Sequence, residues 1–485
     1  MQHAAISGSP HVPRLLPIGG ELRACLIFSR LELMMQLYED VITMSAREIA
    51  AAVNTGRLSA IDAVRAHLAI ISERNPSLNA IVAIDSGKSL QQARIVDERI
   101  GGGECLPLAG VPIIVKDNIW VEDWPITQGS RLFANFIADS DAEAVRLARQ
   151  AGAVIVGIGA CSEFAAKGVT ATPLYGTTRH PLAHSLTPGG SSGGNAAALA
   201  AGMAPLALGT DAGGSSRRPP AHCGIVGFKP SQDAIPYGPG FAEPFWGVSV
   251  IAPMGRTVDD CALLFEALTG NTPAPQRPLR LGYHPTFGID AAVDADVAAA
   301  FEAARRRILA AGVEMDAVTM AWPEGTNEEV LMPLQHAGLA MLYGERWQHE
   351  PDLFDPDIGS QIERGLSLPG VAVARALDQS HRLRGCLDHI FAQYDLLIGL
   401  TTPCGPWPHD RLGPETIGGK PVSPRDHAAL TPRFNHAGLP ALSLPCGSDR
   451  NGLPVGMQIV GPAGADTFVL AAAAQFETIL AGPVA

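Results

Sequence analysis

The chain has 485 residues, of which 47% are hydrophobic and 17% are charged. This composition excludes a disordered chain, which needs low hydrophobicity and high net charge, and the 52 glycines show no triplet period, which excludes collagen. The formal charge of −13 argues against unaided binding of nucleic acid, because such binding relies on lysine and arginine to neutralise phosphates.

The eight cysteines are scattered along the chain and form no CxxC motif. This pattern predicts reduced, mostly buried thiols in the cytosol, and neither a zinc site nor a disulfide framework. No run of 18 uninterrupted apolar residues is present, and the first residues lack the basic and apolar regions of a secretory signal. We therefore expect a cytoplasmic protein without a membrane span.

The first 43 residues differ in character from those that follow. Ser45 with Glu48 has the spacing of a helix capping box, and Ser59 with Asp62 repeats that spacing before a second helix. The folded unit is therefore expected to begin near residue 44. This boundary divides the chain into an N-terminal extension, 1–43, and one large domain, 44–485. The extension is either genuine or the result of a start codon assigned too far upstream.

Short β-branched runs then alternate with helical ones. GVPIIVKD and VIVGIG are predicted strands, DAEAVRLARQAGA is a predicted helix between them, and GSSGGNAAALAAG is a loop that leads into a buried helix. Near the C-terminus, PALSLPCG and GLPVGMQIVG bracket a tight turn and predict a hairpin. The alternation predicts an α/β fold in which helices cover a sheet.

The least usual stretch is 187–231, which contains two Gly-Gly-Ser-Ser elements. Their first serines, Ser191 and Ser215, are 24 residues apart. Glycine pairs leave backbone N–H groups uncovered, and successive N–H groups form an anion-binding nest. A nucleophilic serine needs such a nest to stabilise the oxyanion that develops when it attacks a carbonyl.

Lys116 is the candidate base for such a serine. It ends the apolar run GVPIIVK, where desolvation would lower the lysine pKa, and a neutral lysine can accept a serine proton. Asp117 follows it directly, but strand alternation sends adjacent side chains to opposite faces of a sheet. We therefore expect Asp117 to have little influence on Lys116.

In these segments the chain resembles the amidase signature family. The likeness runs from about Met44 to Phe476 and is carried by four segments: GVPIIVKDNI, TPGGSSGGNAAALAAG, LALGTDAGGSSRRPPAHCGIVGFKPS, and TPRFNHAGLPALSLPCG with GLPVGMQIVG. The resemblance implies a single large α/β domain with a central mixed β-sheet surrounded by α-helices. It also implies hydrolysis of a carboxamide to a carboxylate and ammonia or an amine, without a metal or an organic cofactor.

The resemblance further implies roles for individual residues. Lys116 matches the catalytic lysine of the family, Ser215 its nucleophile, and Ser191 the bridging serine that follows a cis peptide bond. The expected oxyanion hole consists of four successive backbone N–H groups: Ala212, Gly213, Gly214 and Ser215. Three further residues are expected to support these groups: Gly190, Asp211 and Arg217.

The chain departs from the usual family pattern at Ser216, Arg218 and Pro220. These departures affect the expected choice of substrate, but none of them replaces a catalytic residue. The segment YGPGFAEPFWG supplies aromatic side chains that would either shape a substrate pocket or pack as a loop. Arg433, in TPRFN, is a candidate contact for a substrate carboxylate. The candidate pocket residues are therefore Phe241, Phe245, Trp246 and Arg433.

Residues 189–193 also satisfy GxSxG, the nucleophile elbow of α/β-hydrolases. That fold would need a histidine base, for which His427 and His436 are the candidates. No Asp or Glu context singles out either histidine. The interpretation also leaves the lysine strand and the second Gly-Gly-Ser-Ser element without a role.

No pattern in the chain predicts a metal or a nucleotide site. His180 and His184 flank prolines in a loop and are expected to be structural. GIGACS lacks the last glycine of a dinucleotide-binding motif, and no phosphate-binding loop of the GxxxxGK[ST] type is present. Cys223 lies near the second serine element and is expected to be a small buried side chain rather than a nucleophile.

Three functions follow from these patterns. A stand-alone amidase acting on a small-molecule amide is favoured. The glutamine-hydrolysing component of a tRNA-dependent amidotransferase, its A subunit, belongs to the same family and would need partner chains. A catalytically inactive binding protein on the same fold is disfavoured by the complete lysine–serine–serine set. No nucleic-acid or membrane partner is expected, and a homodimer is a candidate assembly.

Overall fold

The computed structural model of the chain describes residues 38–272, 279–326 and 328–482. Strands are present along most of this length, and many are fully buried. In chain order, they are β1 Ile81–Ala83, β2 Pro112–Lys116, β3 Val154–Gly159, β4 Ala171–Thr172, β5 Gly176–Thr177, β6 Leu206–Asp211, β7 Val226–Lys229, β8 Val250–Gly255, β9 Leu281–Tyr283, β10 Met315–Ala317, β11 Leu396–Leu400, β12 Thr416–Ile417, β13 Lys420–Pro421, β14 Ala441–Ser448 and β15 Pro454–Val460.

Eleven of these strands form one sheet in the order β1-β3-β2-β6-β8-β7-β14-β15-β11-β9-β10. β3, β2 and β6 run parallel to one another, as do β11, β9 and β10. The remaining neighbours pair antiparallel. The sheet is therefore mixed, and the predicted single α/β domain with a central mixed sheet is confirmed.

Helices pack against this sheet and against one another. In the described residues, 38–43 are helical, and the α-helices that follow are Ala46–Asn54, Ala60–Leu78, Ser86–Gly101, Glu143–Gln150, Gly193–Ala200, Arg218–Cys223, Val258–Thr269, Ala295–Ala310, Glu328–His349, Pro356–Ser367, Gly370–Leu383, Asp388–Phe391, Pro432–His436 and Asp466–Ala481. The predicted strands GVPIIVKD and VIVGIG, the helix between them and the C-terminal hairpin all lie where the sequence places them. Within the described ranges, none of the helices has the length and apolarity required to cross a bilayer.

The predicted capping box at the start of the domain is formed. Ser45 Oγ accepts the N–H of Glu48 at 3.2 Å, and Glu48 Oε2 accepts the N–H of Ser45 at 2.8 Å. Residues 38–43 are helical as well, and Val41 is buried in the core. The rest of the predicted extension, 1–37, lies outside the described residues, so the boundary at residue 44 stays a prediction.

Parallel pairing brings the chemistry-bearing segments to one edge of the sheet. β2 and β6 are parallel neighbours, so their carboxyl ends lie on the same side. Lys116 ends β2, and Asp211 ends β6 immediately before the second Gly-Gly-Ser-Ser element. This edge is the crevice in which ligands bind in open α/β sheets.

Two glycines let backbone segments approach this edge closely. A Cβ at Gly194 would lie 2.4 Å from the backbone N of Ala160, so only glycine allows the Gly193–Ala200 helix to pack there. A Cβ at Gly227, in β7, would lie 1.8 Å from the backbone O of Ser216. Gly227 therefore allows the loop after β6 to pack directly against the backbone of β7.

Candidate active site

Lys116 is fully buried and contacts the first serine element. Its Nζ lies 2.7 Å from Ser191 Oγ and 2.7 Å from Thr210 Oγ1. Burial lowers the pKa of Lys116 to about 8, and the guanidinium of Arg218 acts in the same direction, against the opposite effect of Asp211. The neutral amine, which can accept a proton, is therefore populated near neutral pH.

The two Gly-Gly-Ser-Ser elements lie side by side. The N–H of Ser192 donates to the backbone O of Ser215 at 3.3 Å, and Ser192 Oγ lies 3.5 Å from Ser216 Oγ. The peptide bond between Gly190 and Ser191 is cis. Hydrogen bonds thus connect the loop that carries Ser191 to the loop that carries Ser215.

The loop after β6 folds back on itself around Ser215. The backbone O of Gly214 accepts the N–H of Arg217 at 3.1 Å and that of Arg218 at 2.8 Å. Gly214 has a φ of +108°, and a Cβ there would lie 2.2 Å from Thr431 Oγ1. Glycine is therefore required here both by its conformation and by the space available.

The four predicted oxyanion donors are not equivalent. The N–H of Gly214 donates to Asp211 Oδ1 at 2.7 Å and is therefore already bonded. The backbone N–H groups of the other three residues, Ala212, Gly213 and Ser215, have no hydrogen-bond acceptor within the described part of the chain. The loop consequently offers three backbone donors beside the cavity described below.

A buried network of side chains holds this loop. Arg217 donates through Nε and Nη2 to the two carboxylate oxygens of Asp211, at 3.0 and 2.9 Å. Asn435 Nδ2 donates to Asp211 Oδ1 at 2.8 Å, and Arg217 Nη1 donates to Gln458 Oε1 at 2.7 Å. Burial alone would raise the pKa of Asp211, but Arg217 and Asn435 outweigh burial and hold it far below its usual range. Asp211 is therefore ionised at neutral pH, and its carboxylate accepts the N–H groups of Gly214 and Ser216.

Sequence reasoning missed several polar groups of the site. Thr210 contacts Lys116, and Asn118 Nδ2 donates to Thr210 Oγ1 at 3.0 Å. Thr431 Oγ1 donates to the backbone O of Gly213 at 2.7 Å. Thr431 and Asn435 both lie in TPRFNH. From this segment the sequence predicted a role only for Arg433, its one side chain that is charged at neutral pH.

Asp117 binds the loop after β2 through its carboxylate, in keeping with the small influence on Lys116 expected from strand alternation. Its carboxylate accepts the N–H and the hydroxyl of Thr127, both at 2.6 Å, and the N–H of Gly129 at 2.9 Å. Burial raises the pKa of Asp117 to about 6. Its charge is not among those that shift the pKa of Lys116.

A cavity of about 680 Å³ opens at this edge, and Ser215 lies in its wall. Ala212 and Gly213 also line it, so all three unbonded N–H groups belong to residues of the cavity wall. Of the predicted aromatic residues, Phe245 lines the cavity. Ser215 retains 6% of its surface exposed.

The other three predicted pocket residues lie outside this wall. Phe241 packs in a cluster of aromatic rings. Its ring centroid lies 4.8 Å from that of Phe133 and 5.0 Å from that of Phe136. Trp246 Nε1 donates to the backbone O of Leu334 at 2.7 Å. The guanidinium of Arg433 lies over the ring of Trp322 at 5.5 Å. Of the four candidate pocket residues, Phe245 alone lines this cavity, and its contact with a substrate stays a prediction.

The two histidines considered as bases, His427 and His436, line the cavity, but Ser191 contacts Lys116 instead of either of them. His436 Nδ1 is bonded to Ser380 Oγ at 2.8 Å, and the His427 ring packs against Trp407 at 4.4 Å. His180 Nε2 is bonded to the backbone O of His222 at 2.8 Å. These contacts give the nucleophile-elbow interpretation no support.

The remaining candidate thiol is also buried. Burial raises the pKa of Cys223 far above its usual range, so the thiol stays protonated. No group of three or more His, Cys, Asp and Glu side chains within 38–272, 279–326 and 328–482 is arranged to hold a metal ion.

Comparison with known proteins assigns this arrangement to a family. Residues 62–470 match the family model described as Amidase. The chain belongs to the amidase signature family. The comparison therefore confirms the resemblance inferred from the lysine strand and the two serine elements.

Relatives of two kinds resemble this amidase-family chain. It is 34% identical over 477 residues to the A subunit of the glutamyl-tRNA(Gln) amidotransferase of Deinococcus radiodurans, and the match covers 90% of this chain and 97% of that protein. A crystal structure of an amidase matches with a TM-score of 0.83 and 28% identity, over 90% of this chain and 100% of that one. A bacterial aryl acylamidase of the amidase signature family matches with a TM-score of 0.80 and 25% identity, over 91% and 99%.

Proposed function

We propose that this chain hydrolyses carboxamides, with Ser215 as nucleophile and with Lys116 acting through Ser191 as base. The observation that carries the proposal is the 2.7 Å contact between Lys116 Nζ and Ser191 Oγ, in a buried site whose serine loops lie side by side. Ser215, on the second loop, reaches the cavity. This contact supports the step of the relay between Ser191 and a lysine that water does not solvate, and the step from Ser215 to Ser191 is part of the proposal.

The first half-reaction forms an acyl-enzyme. Ser191 passes its hydroxyl proton to neutral Lys116 and takes the proton of Ser215, whose Oγ bonds to the amide carbonyl carbon. The carbonyl oxygen becomes an oxyanion, to which the free N–H groups of the loop donate. The proton then returns from Lys116 through Ser191 to the leaving nitrogen. The C–N bond breaks, ammonia or an amine departs, and an ester on Ser215 remains.

The second half-reaction releases the carboxylate. A water molecule gives a proton to the same relay, and its oxygen bonds to the ester carbon. The bond from that carbon to Ser215 Oγ breaks, and the relay returns the proton to Oγ. The product leaves as a carboxylic acid, which releases its remaining proton to solvent and becomes a carboxylate, and Lys116, Ser191 and Ser215 are restored.

Covalent labelling tests the nucleophile without knowledge of the substrate. A fluorophosphonate should phosphonylate wild-type protein with loss of fluoride, and intact-mass and peptide analysis should locate one adduct on Ser215. Ser215→Ala should abolish the adduct, whereas Ser192→Ala, the matched change in the neighbouring element, should keep it and retain substantial turnover. An adduct on Ser191 or Ser192 would contradict the assignment, and complete absence of labelling would favour an inactive binding protein.

A second candidate function rests on the similarity to the A subunit of an amidotransferase. That relative is 34% identical to this chain, whereas the structural neighbours named above are an amidase and an aryl acylamidase. We favour the stand-alone amidase because Ser216, Arg218 and Pro220 depart from the usual family pattern beside the nucleophile. Glutaminase activity of the isolated chain, or a partner chain that co-purifies with it, would support the amidotransferase component instead.

The setting of the enzyme is also a proposal. The seven cysteines of the described residues are free thiols, which is consistent with a reducing compartment such as the cytoplasm. A small-molecule amide is the proposed partner. A homodimer is the assembly to test first, by size-exclusion chromatography with light scattering.

A further inference from the structure

The amine of Lys116 has three oxygen atoms within hydrogen-bond distance, and two of them belong to one residue. Nζ lies 2.7 Å from Ser191 Oγ, 2.7 Å from Thr210 Oγ1 and 3.4 Å from the backbone O of Thr210. Lys116 and Thr210 are both buried, with 0% and 2% of their surface exposed. Since bulk water does not reach the amine, these contacts decide how it is oriented.

A neutral amine can act as a base only if its lone pair faces the proton that it accepts. Such an amine has two N–H groups and one lone pair. When its N–H groups donate to the hydroxyl and backbone oxygens of Thr210, the lone pair of Lys116 is left for the hydroxyl proton of Ser191. If an N–H group donated to Ser191 instead, the lone pair would face elsewhere and the proton relay would stop at its first step.

Asn118 holds the Thr210 hydroxyl from the other side. Its Nδ2 donates to Thr210 Oγ1 at 3.0 Å, and its Oδ1 lies 3.5 Å from the same oxygen. The hydroxyl proton therefore has an acceptor other than the lysine, and a lone pair of Oγ1 stays available to an N–H group of Lys116. Asn118 follows Lys116 by two residues, so both partners of the hydroxyl come from the end of β2.

The position of Thr210 in β6 explains how it reaches the lysine. Thr210 immediately precedes Asp211, and strand alternation sends adjacent side chains to opposite faces of a sheet. Thr210 contacts Lys116 of the parallel neighbour β2, whereas Asp211 binds Arg217. The end of one strand thus serves both the base and the loop that carries the nucleophile.

We propose that Thr210 is a positioning residue, whose hydroxyl oxygen directs the lone pair of neutral Lys116 toward Ser191 and then stabilises the ammonium group that forms. This proposal rests on the proposed function. When Ser191 gives up its proton, Nζ becomes a charged donor, and its hydrogen bond to Thr210 Oγ1 becomes stronger. The hydroxyl therefore favours the charged form of the lysine, against the effect of burial.

The other groups that act on Lys116 keep a constant charge between pH 6 and pH 10. They are Asp211, Cys161 and Arg218. The pKa of Asp211 lies far below its usual range, and burial raises the pKa of the Cys161 thiol well above its usual value. The arginine guanidinium does not lose its proton in proteins. A changed pH dependence in a Thr210 variant can therefore be assigned to the contacts of the lysine itself.

The rate of fluorophosphonate labelling of Ser215, measured from pH 6 to pH 10, tests this role without knowledge of the substrate. Fluoride needs no proton to depart, so this rate reports the transfer of the Ser215 proton to the relay. Thr210→Val removes the hydroxyl at nearly constant volume. The plateau rate constant should fall about 10- to 100-fold, because the base is present but poorly oriented. The acid limb should move to lower pH by about one unit, since the ammonium loses a charge-assisted hydrogen bond.

Two further variants separate the hydroxyl group from the space that it fills. Thr210→Ser keeps the hydroxyl and should keep most of the rate, with an acid limb close to the wild-type pKa of about 8. Thr401→Val is the matched control, because Thr401 is also buried and its hydroxyl pairs with Ser443 Oγ at 2.9 Å. Its acid limb should stay in place. A Thr210→Ser variant as slow as Thr210→Val would overturn the proposal.

The direction of the shift distinguishes positioning from structural damage. Entry of water beside Lys116 would raise the pKa of the lysine, so the acid limb of Thr210→Val would move to higher pH. That result, an unmoved limb or an undiminished rate would overturn the role of Thr210. Labelling of Ser215 in the wild type alongside any of these results would leave the proposed hydrolase intact. Absence of labelling in the wild type would refute the hydrolase itself.

Discussion

Only the neutral form of Lys116 can accept a proton from Ser191, so activity should depend on pH through the pKa of this lysine. With a pKa of about 8, roughly a tenth of the lysine is neutral at pH 7 and roughly nine tenths at pH 9. kcat/KM should therefore rise about 10-fold over this interval and then level off. A lysine with its ordinary value of 10.5 would give a rise of about 100-fold without a plateau.

The measurement is kcat/KM for ammonia release between pH 6 and pH 10 at constant ionic strength. Preincubation at each pH, followed by assay at pH 8, controls for irreversible loss of enzyme. Lys116→Ala should lower the rate by about 10²- to 10⁴-fold, the range for removal of a general base. Its residual activity should lack the acid limb near pH 8, because the group that titrates there is gone.

Two results would refute this reasoning. An acid limb that continues to rise towards pH 10.5 in the wild type would mean that burial does not lower the pKa of Lys116 as stated. An unchanged limb in Lys116→Ala would mean that another group titrates, such as a histidine. In that case the relay from Ser215 through Ser191 to Lys116 would fail.

Three further predictions concern stability. Arg217→Met should lower the free energy of unfolding, measured by urea denaturation, by about 3–5 kcal/mol, because it leaves Asp211 buried without its partner. Adding Asp211→Asn to this variant should reduce the loss of unfolding free energy. An equal or larger loss in the double variant would contradict the pairing. A chain that starts at Met44 should fold and keep activity but lose about 2 kcal/mol relative to one that starts at residue 38, since Val41 is buried; insoluble expression would contradict this. The lowered pKa of Lys116 means that the unfolded chain binds the extra proton between pH 8 and 10.5, so wild-type stability should rise by about 2 kcal/mol from pH 7.5 to pH 10. Lys116→Met should lack that rise in urea unfolding, and equal slopes would contradict the assigned pKa.

The elements that the sequence predicts best are those with a local signal. The apolar run before Lys116 predicts a buried strand, and the glycine pairs before Ser191 and Ser215 predict close backbone approach. Both features depend on residues within a few positions of one another. Parallel pairing of β2 with β6 then brings Lys116 and the serine elements to the same edge of the sheet. This pairing follows from the fold class.

The parts that the sequence could not predict depend on distant residues. Asn435 and Gln458 bond to Asp211 and Arg217 across 224 and 241 positions of the chain, and no local pattern marks such partners. The same limit applies to Phe241, whose ring packs among other aromatic rings rather than in the cavity. Hydrophobicity predicts burial, but it does not distinguish a core cluster from a binding pocket.

Arg217 and Arg218 illustrate why position in the fold decides the role of a charge. Arg217 is fully buried and forms two hydrogen bonds to Asp211, so its charge is matched inside the loop that it braces. Arg218, the next residue, lies in the cavity wall. Burial is the main cause of the lowered pKa of Lys116, and the charge of Arg218 adds to this lowering. The first arginine therefore keeps the nucleophile loop in shape, whereas the second makes a small contribution to the lowered pKa of the base. Because helix geometry turns consecutive side chains in different directions, one dipeptide can supply a structural brace and a functional charge at once.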